Sequence, residues 1–518
     1  MRSDRYRQRV AAHVAHGEYR SALAVLEAWR AREPDLLETE LLHARIDIGL
    51  GRVRAAHARV LPAILSRDCP SALALDVVQC LRVLVEHDAL IEWARDYPNR
   101  NALAASELAR IAAALASIGA HALALEWVEA AVARAPGDAV CLVNRALLRS
   151  YAGDFAGASE DLELAIGSPA DPAIAHWLLS RLSRQRPAAN HVARLRARFE
   201  GADDPDREFL SFAMFKELDD IGDFDGAWDA LETGCRLVRS RAPYDRVAHE
   251  RLFAAIERVF PLDSAPAAMR TDAAQPIFIV GMHRCGSTLL ESMLAAHDAV
   301  YSYGESQRLS GALRHAADHP CTALLDEMLV ESAPRLDHAL VRDRFLDTGR
   351  HMIGGARFVT EKMTGLFQLV GFIHQALPAA KVIHVRRDPL DLCFANLREL
   401  FSDGVAHAYA QDDVAHYHAL YTRLMAHWRR IYPGFVLDVD YEDLVRDPLA
   451  TSQQVYAFCG LDWHPRVIEP AAWAGRSINT LSSVQARQAV NSASVGRWKP
   501  YAHRLQPLRD ALSGAAQD

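Results

Sequence analysis

Glycine is followed five residues later by alanine at Gly17/Ala22, Gly51/Ala56, Gly119/Ala124, Gly153/Ala158 and Gly222/Ala227. The glycines are separated by 34, 68, 34 and 69 residues, close to multiples of 34. Two copies nearly repeat letter for letter: Gly-Asp-Phe-Ala-Gly-Ala at 153–158 and Gly-Asp-Phe-Asp-Gly-Ala at 222–227. The in-phase copies near Val85 and Pro187 are degenerate. A fixed period of this length restricts the first half of the chain to one repeating supersecondary unit. Glycine permits a tight turn between two helices, and a small alanine lets neighbouring helices approach closely. Pro34 and Pro136 each lie 17 residues after a repeat glycine, where the second helix of a unit should stop. The spacing therefore predicts stacked helix-turn-helix units; the alternative is an alanine-rich helical bundle.

A 34-residue helix-turn-helix period resembles the tetratricopeptide repeat family. That resemblance implies an N-terminal α-solenoid over residues 1–260, with an extended concave surface suited to a peptide or protein partner. Shielding the rest of the chain, or pairing two copies as a homodimer, are equally open roles. Residues 261–276 carry three prolines and small residues, which predicts a linker. From 277 to 518 the pattern alternates strands and helices. Strands are expected at 277–280, 358–360, 381–385 and 435–439, with helices at 287–296, 364–377, 389–400 and 447–459. That pattern predicts a P-loop-like parallel-sheet α/β domain, with ligands at the carboxyl ends of its strands.

The first of those strands, Ile277 to Val280, runs into Gly-Met-His-Arg-Cys-Gly-Ser-Thr at 281–288 and then into a helical pattern. Strand, tight glycine loop and helix N-terminus form an anion site, because loop N–H groups and the helix dipole converge on a phosphate. The Gly281–Gly286 spacing is that of a Walker A loop, but Ser287 stands where its lysine belongs. A positive charge sits inside the loop instead, at Arg284.

A net charge of −8 excludes a general nucleic-acid binder, so any anion site must be a local cluster of arginine and lysine. No apolar run approaches the ~20 residues of a membrane span. The eight cysteines are scattered without a CxxC pair, so free thiols, a cytoplasmic location and no metal site are the expectations. His416, His418 and His427 do not share one helical face, which argues against a metal centre there.

Each later strand also ends in polar residues: Glu361-Lys362, His384-Val385-Arg386-Arg387-Asp388-Pro389 and Asp440-Tyr441-Glu442-Asp443. Thr480-Leu481-Ser482-Ser483 and Ser494-Val495-Gly496-Arg497-Trp498-Lys499 follow near the C-terminus. Taken in order with the loop, these segments resemble the sulfotransferases that use 3′-phosphoadenosine 5′-phosphosulfate (PAPS) over roughly residues 276–500. Gly304-Glu305-Ser306-Gln307-Arg308 resembles the acceptor-side motif of the tyrosylprotein branch. The resemblance implies sulfuryl transfer from PAPS to a hydroxyl, without a metal. The acceptor could be a peptidyl tyrosine, a phenol, a glycan or a lipid. Catalysis of this kind is mostly positioning and charge neutralisation, with a base for the acceptor's proton.

By that resemblance Glu305 is the base, with His283 and His297 as alternatives. Lys362 stabilises the leaving oxygen and the transferring sulfonate, Arg284 clamps the same charge, and Ser482 (or Ser483) donates a hydrogen bond. The amides of Cys285, Gly286, Ser287 and Thr288 hold the 5′-phosphosulfate. Arg387 and Arg497 hold the 3′-phosphate, and Tyr441 lies on the cofactor side. The chain departs from the family pattern at Cys285, at Ala395 where a serine for the 3′-phosphate is expected, and at Asn491-Ser492-Ala493, where basic residues are usual. A nucleotide kinase or NTPase with an aberrant loop, and a non-catalytic repeat scaffold, are the competing functions.

Overall fold

A computed structural model describes residues 2–34, 36–66, 68–321, 323–401, 404–473 and 489–514. The repeat glycines stand where the spacing puts them, between paired helices such as Ala139–Ala152 with Phe155–Ile166 and Asp204–Ile221 with Phe224–Arg241. Gly17, Gly51, Gly119, Gly153 and Gly222 all adopt φ between 72° and 89°, a left-handed turn that glycine enters without a Cβ penalty. The five paired alanines have no exposed surface, so the backbone of each second helix lies against its neighbours. The near-identical motifs have a local cause. Asp154 and Asp223 cap their helices by accepting from the N–H of Gly157 (2.9 Å) and Gly226 (3.0 Å). Val85, in phase with the glycines, takes the same left-handed turn at φ 59°.

Five parallel strands form one sheet: β1 (Gln275–Val280), β2 (Val300–Ser302), β3 (Phe358–Glu361), β4 (Lys381–Arg386) and β5 (Val436–Asp440), in the order β2-β3-β1-β4-β5. Ile277 to Val280 are fully buried, as a central strand covered on both faces must be. The chain leaves β1 toward β3 and β2, then returns to its other side as β4, so the strand order reverses beside the C-terminal end of β1. Ligands of open α/β sheets bind at such a switch point. The four strands expected from sequence form within a residue or two of their expected bounds. β2, three residues long, has no sequence signal of its own.

Two compact units account for the chain. One comprises Met1–Arg134, Ser264–Ala268 and Ser306–Gly354; the other comprises Ala135–Asp263, Met269–Glu305 and Gly355–Asp518. In the first, Glu86 pairs with Arg344, and both carboxylate oxygens of Asp88 accept from the Gly349 N–H at 2.9 Å. Gly311 there gives Val85 its space, since a Cβ on Gly311 would lie 2.7 Å from the valine side chain. In the second, the helices between 139 and 259 share a unit with the sheet, the helix Arg246–Val259 lying against the helix Gln411–Ile431. The composition change at 261–276 is therefore a different division from the one made by spatial contact. Among the described residues, no helix is long and apolar enough to cross a membrane.

Candidate active site

The glycine loop is shaped by close approach from two directions. A Cβ on Gly281 would lie 2.7 Å from the Val385 carbonyl oxygen, and one on Gly286 would overlap the Tyr441 ring. Gly286 (φ 105°) and Arg284 (φ 64°) both take left-handed backbone, which folds the loop tightly before the helix Ser287–Ala295 begins. Side chains then grip the loop's carbonyls. Arg387 donates from Nη1 to the Arg284 oxygen (3.0 Å), and Asn396 donates to the His283 oxygen (2.8 Å). With carbonyls held from outside, amides remain for an anion. The Cys285 N–H is used within the loop, donating to the Met282 oxygen at 3.3 Å. The first-turn amides of Ser287 and Thr288 have no intrahelical acceptor by helix geometry, and Gly286 supplies no side-chain cap. Cys285 itself is fully buried, and burial raises its thiol pKa, which favours the neutral thiol.

Lys362 directly follows β3, whose Glu361 is in register with Phe278 of β1, so its side chain emerges next to the loop strand. Its backbone N–H donates to the Gly304 oxygen (2.9 Å), and its ammonium pairs with Oε1 of Glu305. The lysine is 1% exposed while the Glu305 side chain is 48% exposed: a buried cation behind an accessible carboxylate. Arg308, three residues on, is occupied elsewhere, over the Phe345 ring and donating to the Phe345 oxygen.

Arg387 stacks on Tyr441 with its guanidinium carbon 4.9 Å from the ring centre, donates to the Ser494 oxygen, and lies 4.0 Å from Asp391. Asp391 in turn accepts from the Gly496 N–H (2.6 Å), which binds the 494–496 turn to the start of the helix Pro389–Leu397. The loop, Arg387 and Tyr441 therefore lie together. Arg497 is nearby in sequence but its guanidinium pairs with Asp219, which also accepts from Tyr501 Oη at 2.8 Å. Ser482 and Ser483 lie outside the described residues.

Of the alternative bases, His297 is committed to a turn, where its Nδ1 accepts from the Ala299 N–H (3.0 Å). His283 lies in the loop with its ring 5.2 Å from Phe401. Burial pushes its imidazole down to about 4; Glu305 opposes that shift, and Lys362 and Arg284 add to it. A group neutral in the fold but near 6.5 when unfolded contributes stability that is complete above about pH 6.5 and lost as pH falls toward 4. His87, buried, behaves alike, also pushed to about 4. The thermal midpoint is expected to fall steadily between pH 6.5 and 4.5, and less steeply in His283→Asn. A midpoint flat over that range would contradict the buried neutral imidazoles.

Several groups at the site had no sequence signal. Glu399 accepts from Arg181 at 2.6 Å and 3.3 Å and lies 3.5 Å from Arg284 Nε, so the loop arginine is steadied by a carboxylate that the helix Ala173–Leu182 also holds. Asp219 ends another helix of the repeat region, Asp204–Ile221. Tyr151, near the end of Ala139–Ala152, is close enough to Glu305 and Arg181 to feel both, with burial raising its hydroxyl to about 12. Three successive helical pairs thus send the end of their first helix toward the site. Only residue pairs separated by hundreds of positions would have revealed this. His416, set aside above as a metal ligand, bonds to Tyr244 and Glu250.

Residues 276–465 match the model of the sulfotransferase family. An uncharacterized protein of Aquifex aeolicus (strain VF5) is 28% identical over 326 residues, covering 59% of this chain and 41% of that protein. The chain thus spans about two fifths of the length of the curated relative it matches. Among solved structures, the sulfotransferase domain of the curacin biosynthetic pathway aligns with 47% of this chain and 96% of its own (16% identity, TM-score 0.32). Sulfotransferase STF1 of Mycobacterium tuberculosis H37Rv aligns with 63% and 94% (14% identity, TM-score 0.29). Scores this low leave the family match over 276–465 as the finding that bears on function.

Proposed function

We propose that this protein transfers a sulfuryl group from PAPS to a hydroxyl acceptor. The observation that carries the reading is the buried ammonium of Lys362 beside the Gly281–Thr288 loop, paired with the accessible carboxylate of Glu305. It supplies, from another strand end, the lysine that the loop lacks at position 287. The residues fit such a donor: an uncapped helix N-terminus after a glycine cradle, with Arg284 in the loop and the largely buried Arg387 beside it.

When bound, PAPS would supply the activated sulfuryl group. The amides of Gly286, Ser287 and Thr288 would hold its 5′ end, with Arg284 beside them, and Arg387 would hold its 3′ end from the ring of Tyr441. Lys362 Nζ neutralises charge developing next to the loop. Glu305 Oε1 stays with Lys362, leaving Oε2 to take the acceptor's proton, a general-base role. Cys285 Sγ and neutral His283 line the loop without carrying charge into it. The helical pairs are read as tetratricopeptide-type repeats, and the Gly304–Arg308 motif favours a peptidyl tyrosine as acceptor.

Labelled PAPS offered with tyrosine peptides, phenols and glycans tests this reading. Transfer to one acceptor class, with thermal stabilisation by 3′-phosphoadenosine 5′-phosphate (PAP), is the expected result. No labelled product together with stronger stabilisation by ATP–Mg²⁺ than by PAP would overturn it in favour of a nucleotide kinase.

A further inference from the structure

The helix Arg308–Ala317 stops at Asp318, which turns left-handed at φ 53°. The residues after it fold back on that helix. The His319 N–H donates to the Arg314 oxygen (3.0 Å), the Cys321 N–H donates to the His319 oxygen (3.0 Å), and Arg314 Nη1 donates to the Cys321 oxygen (3.2 Å). Asp326 then caps the helix Glu327–Ser332, accepting from the Leu329 N–H through Oδ1 at 2.8 Å. Its other oxygen, Oδ2, lies 2.7 Å from His319 Nε2. The buried Cys321 thiol adjoins this pair: one donor atom from each of the three residues lies within 4.8 Å of the other two.

Imidazole, thiolate and carboxylate are the three donor types that zinc takes in proteins. A tetrahedral zinc with bonds of about 2.0–2.3 Å keeps its donors about 3.3–3.8 Å apart, so small side-chain movements admit the ion. One thiolate and one carboxylate cancel its two positive charges, which a partly buried site requires. The ligands are already oriented from behind. The helix cap fixes the Asp326 carboxylate, and Arg314 fixes the backbone that carries Cys321. The His319 and Asp326 side chains are 21% and 38% exposed, so an ion has a way in, with the thiol behind them. Without an ion the thiol keeps its proton. Burial, followed by Asp326, raises it to about 11, and it donates to the Ala323 oxygen at 3.3 Å. Coordination reverses that, because a thiol bound to zinc is deprotonated.

We propose that His319, Cys321 and Asp326 hold a structural zinc ion, with water in the fourth position. On binding, the thiol proton leaves to solvent. His319 keeps its one proton on Nδ1, and Nε2 coordinates. The ion fastens the turn after Arg308–Ala317 to the helix Glu327–Ser332. Asp318 in the same turn accepts from the Arg54 N–H at 2.8 Å, so the ion also steadies the attachment of this segment to the repeat helix Val53–Ser66 within the first unit. It takes no part in the proposed transfer. This departs, at Cys321, from the expectation of free thiols and no metal site, which rested on the lack of a CxxC pair.

The test uses the full chain, stripped with a chelator and titrated with zinc against a chromophoric competitor. Cobalt(II), which takes the same tetrahedral donors, serves as the spectroscopic probe, since a thiolate ligand gives it a charge-transfer band in the near ultraviolet. The wild type is expected to take up one equivalent of zinc, to gain thermal midpoint with it, and to show that band with cobalt. Cys321→Ser should weaken zinc about 100-fold or more and abolish the band. Asp326→Asn keeps the helix cap, so its metal-free midpoint should match wild type while zinc weakens about 10- to 100-fold. If Cys321→Ser does not fold, the wild-type cobalt spectrum and the Asp326→Asn titration decide. A stripped wild type that takes up no zinc at micromolar concentrations overturns the proposal, and His319 and Asp326 are then an ion pair beside a buried thiol. A cobalt complex without the thiolate band, or zinc bound equally by wild type and Asp326→Asn, overturns it too, because the ion would then sit elsewhere.

Discussion

Lys362→Met is expected to lower kcat by about 1,000-fold while leaving the thermal midpoint unchanged or slightly raised. Removing a preorganised charge from a water-excluded site costs a catalyst about this much. Stability moves differently because Lys362 is 1% exposed. Replacing a buried ammonium by an apolar chain of similar length removes a desolvation cost, and Glu305, half exposed, can be solvated alone. Glu305→Gln reverses the asymmetry: it leaves the buried ammonium without its carboxylate, so both the midpoint and kcat should fall. Arg387→Ala should act mainly on donor affinity, because Arg387 braces the loop through the Arg284 carbonyl and its guanidinium is spent on that carbonyl and the Ser494 oxygen. Steady-state kinetics with thermal melts on the three variants checks the pattern. A Lys362→Met enzyme with kcat within tenfold of wild type would rule out this lysine as the charge-neutralising group.

What sequence could show of this site follows from where each contact lies along the chain. The loop is local: glycines at 281 and 286, a β-branched run before them and a helical pattern after them all stand within a few residues of one another. Lys362 and Arg387 were visible because strand ends of a parallel sheet point to one crevice, so position along each strand was enough. The reason for Gly286 was not visible, because it is the Tyr441 ring, 155 residues away. Arg181, Asp219 and Glu399 were missed for the same reason. Their partners lie across the change of composition at 261–276, where sequence suggests separation. Arg497 shows the limit of motif position: the residue lies where the motif puts it, yet its charge is drawn to Asp219 on a repeat helix. The repeats were legible as period and turn, since left-handed glycine and buried alanine are backbone requirements. Val85 shows that the backbone can keep the turn after the glycine is lost.

A chain begun at residue 264 is expected not to fold, even though it retains every strand and the whole of the family match. Phe260 is 1% exposed, packs against Phe372 and Trp428, and occupies the space that Gly371 leaves by having no side chain. Burying an aromatic ring of this size contributes about 2–3 kcal/mol, and its loss also leaves a cavity against Trp428. Arg246 and Arg239 hold Asp413, whose carboxylate is 3% exposed; Arg181 holds Glu399. Deleting residues 1–263 removes all of those cations, leaving buried carboxylates that must be protonated or exposed, at several kcal/mol in sum. Arg497 would lose Asp219 in turn. Domains of ordinary size are stable by only about 5–15 kcal/mol, so these losses together are comparable to the whole margin. A chain begun at residue 135 keeps these partners but strips Ser306–Gly354 of Glu86, Asp88 and Val85, so it should retain the sheet with a lowered midpoint. Circular dichroism melts of the full chain and of the two truncations measure the order. A cooperative transition for 264–518 within a few degrees of the full chain would show that the sheet is independent of the helices before it.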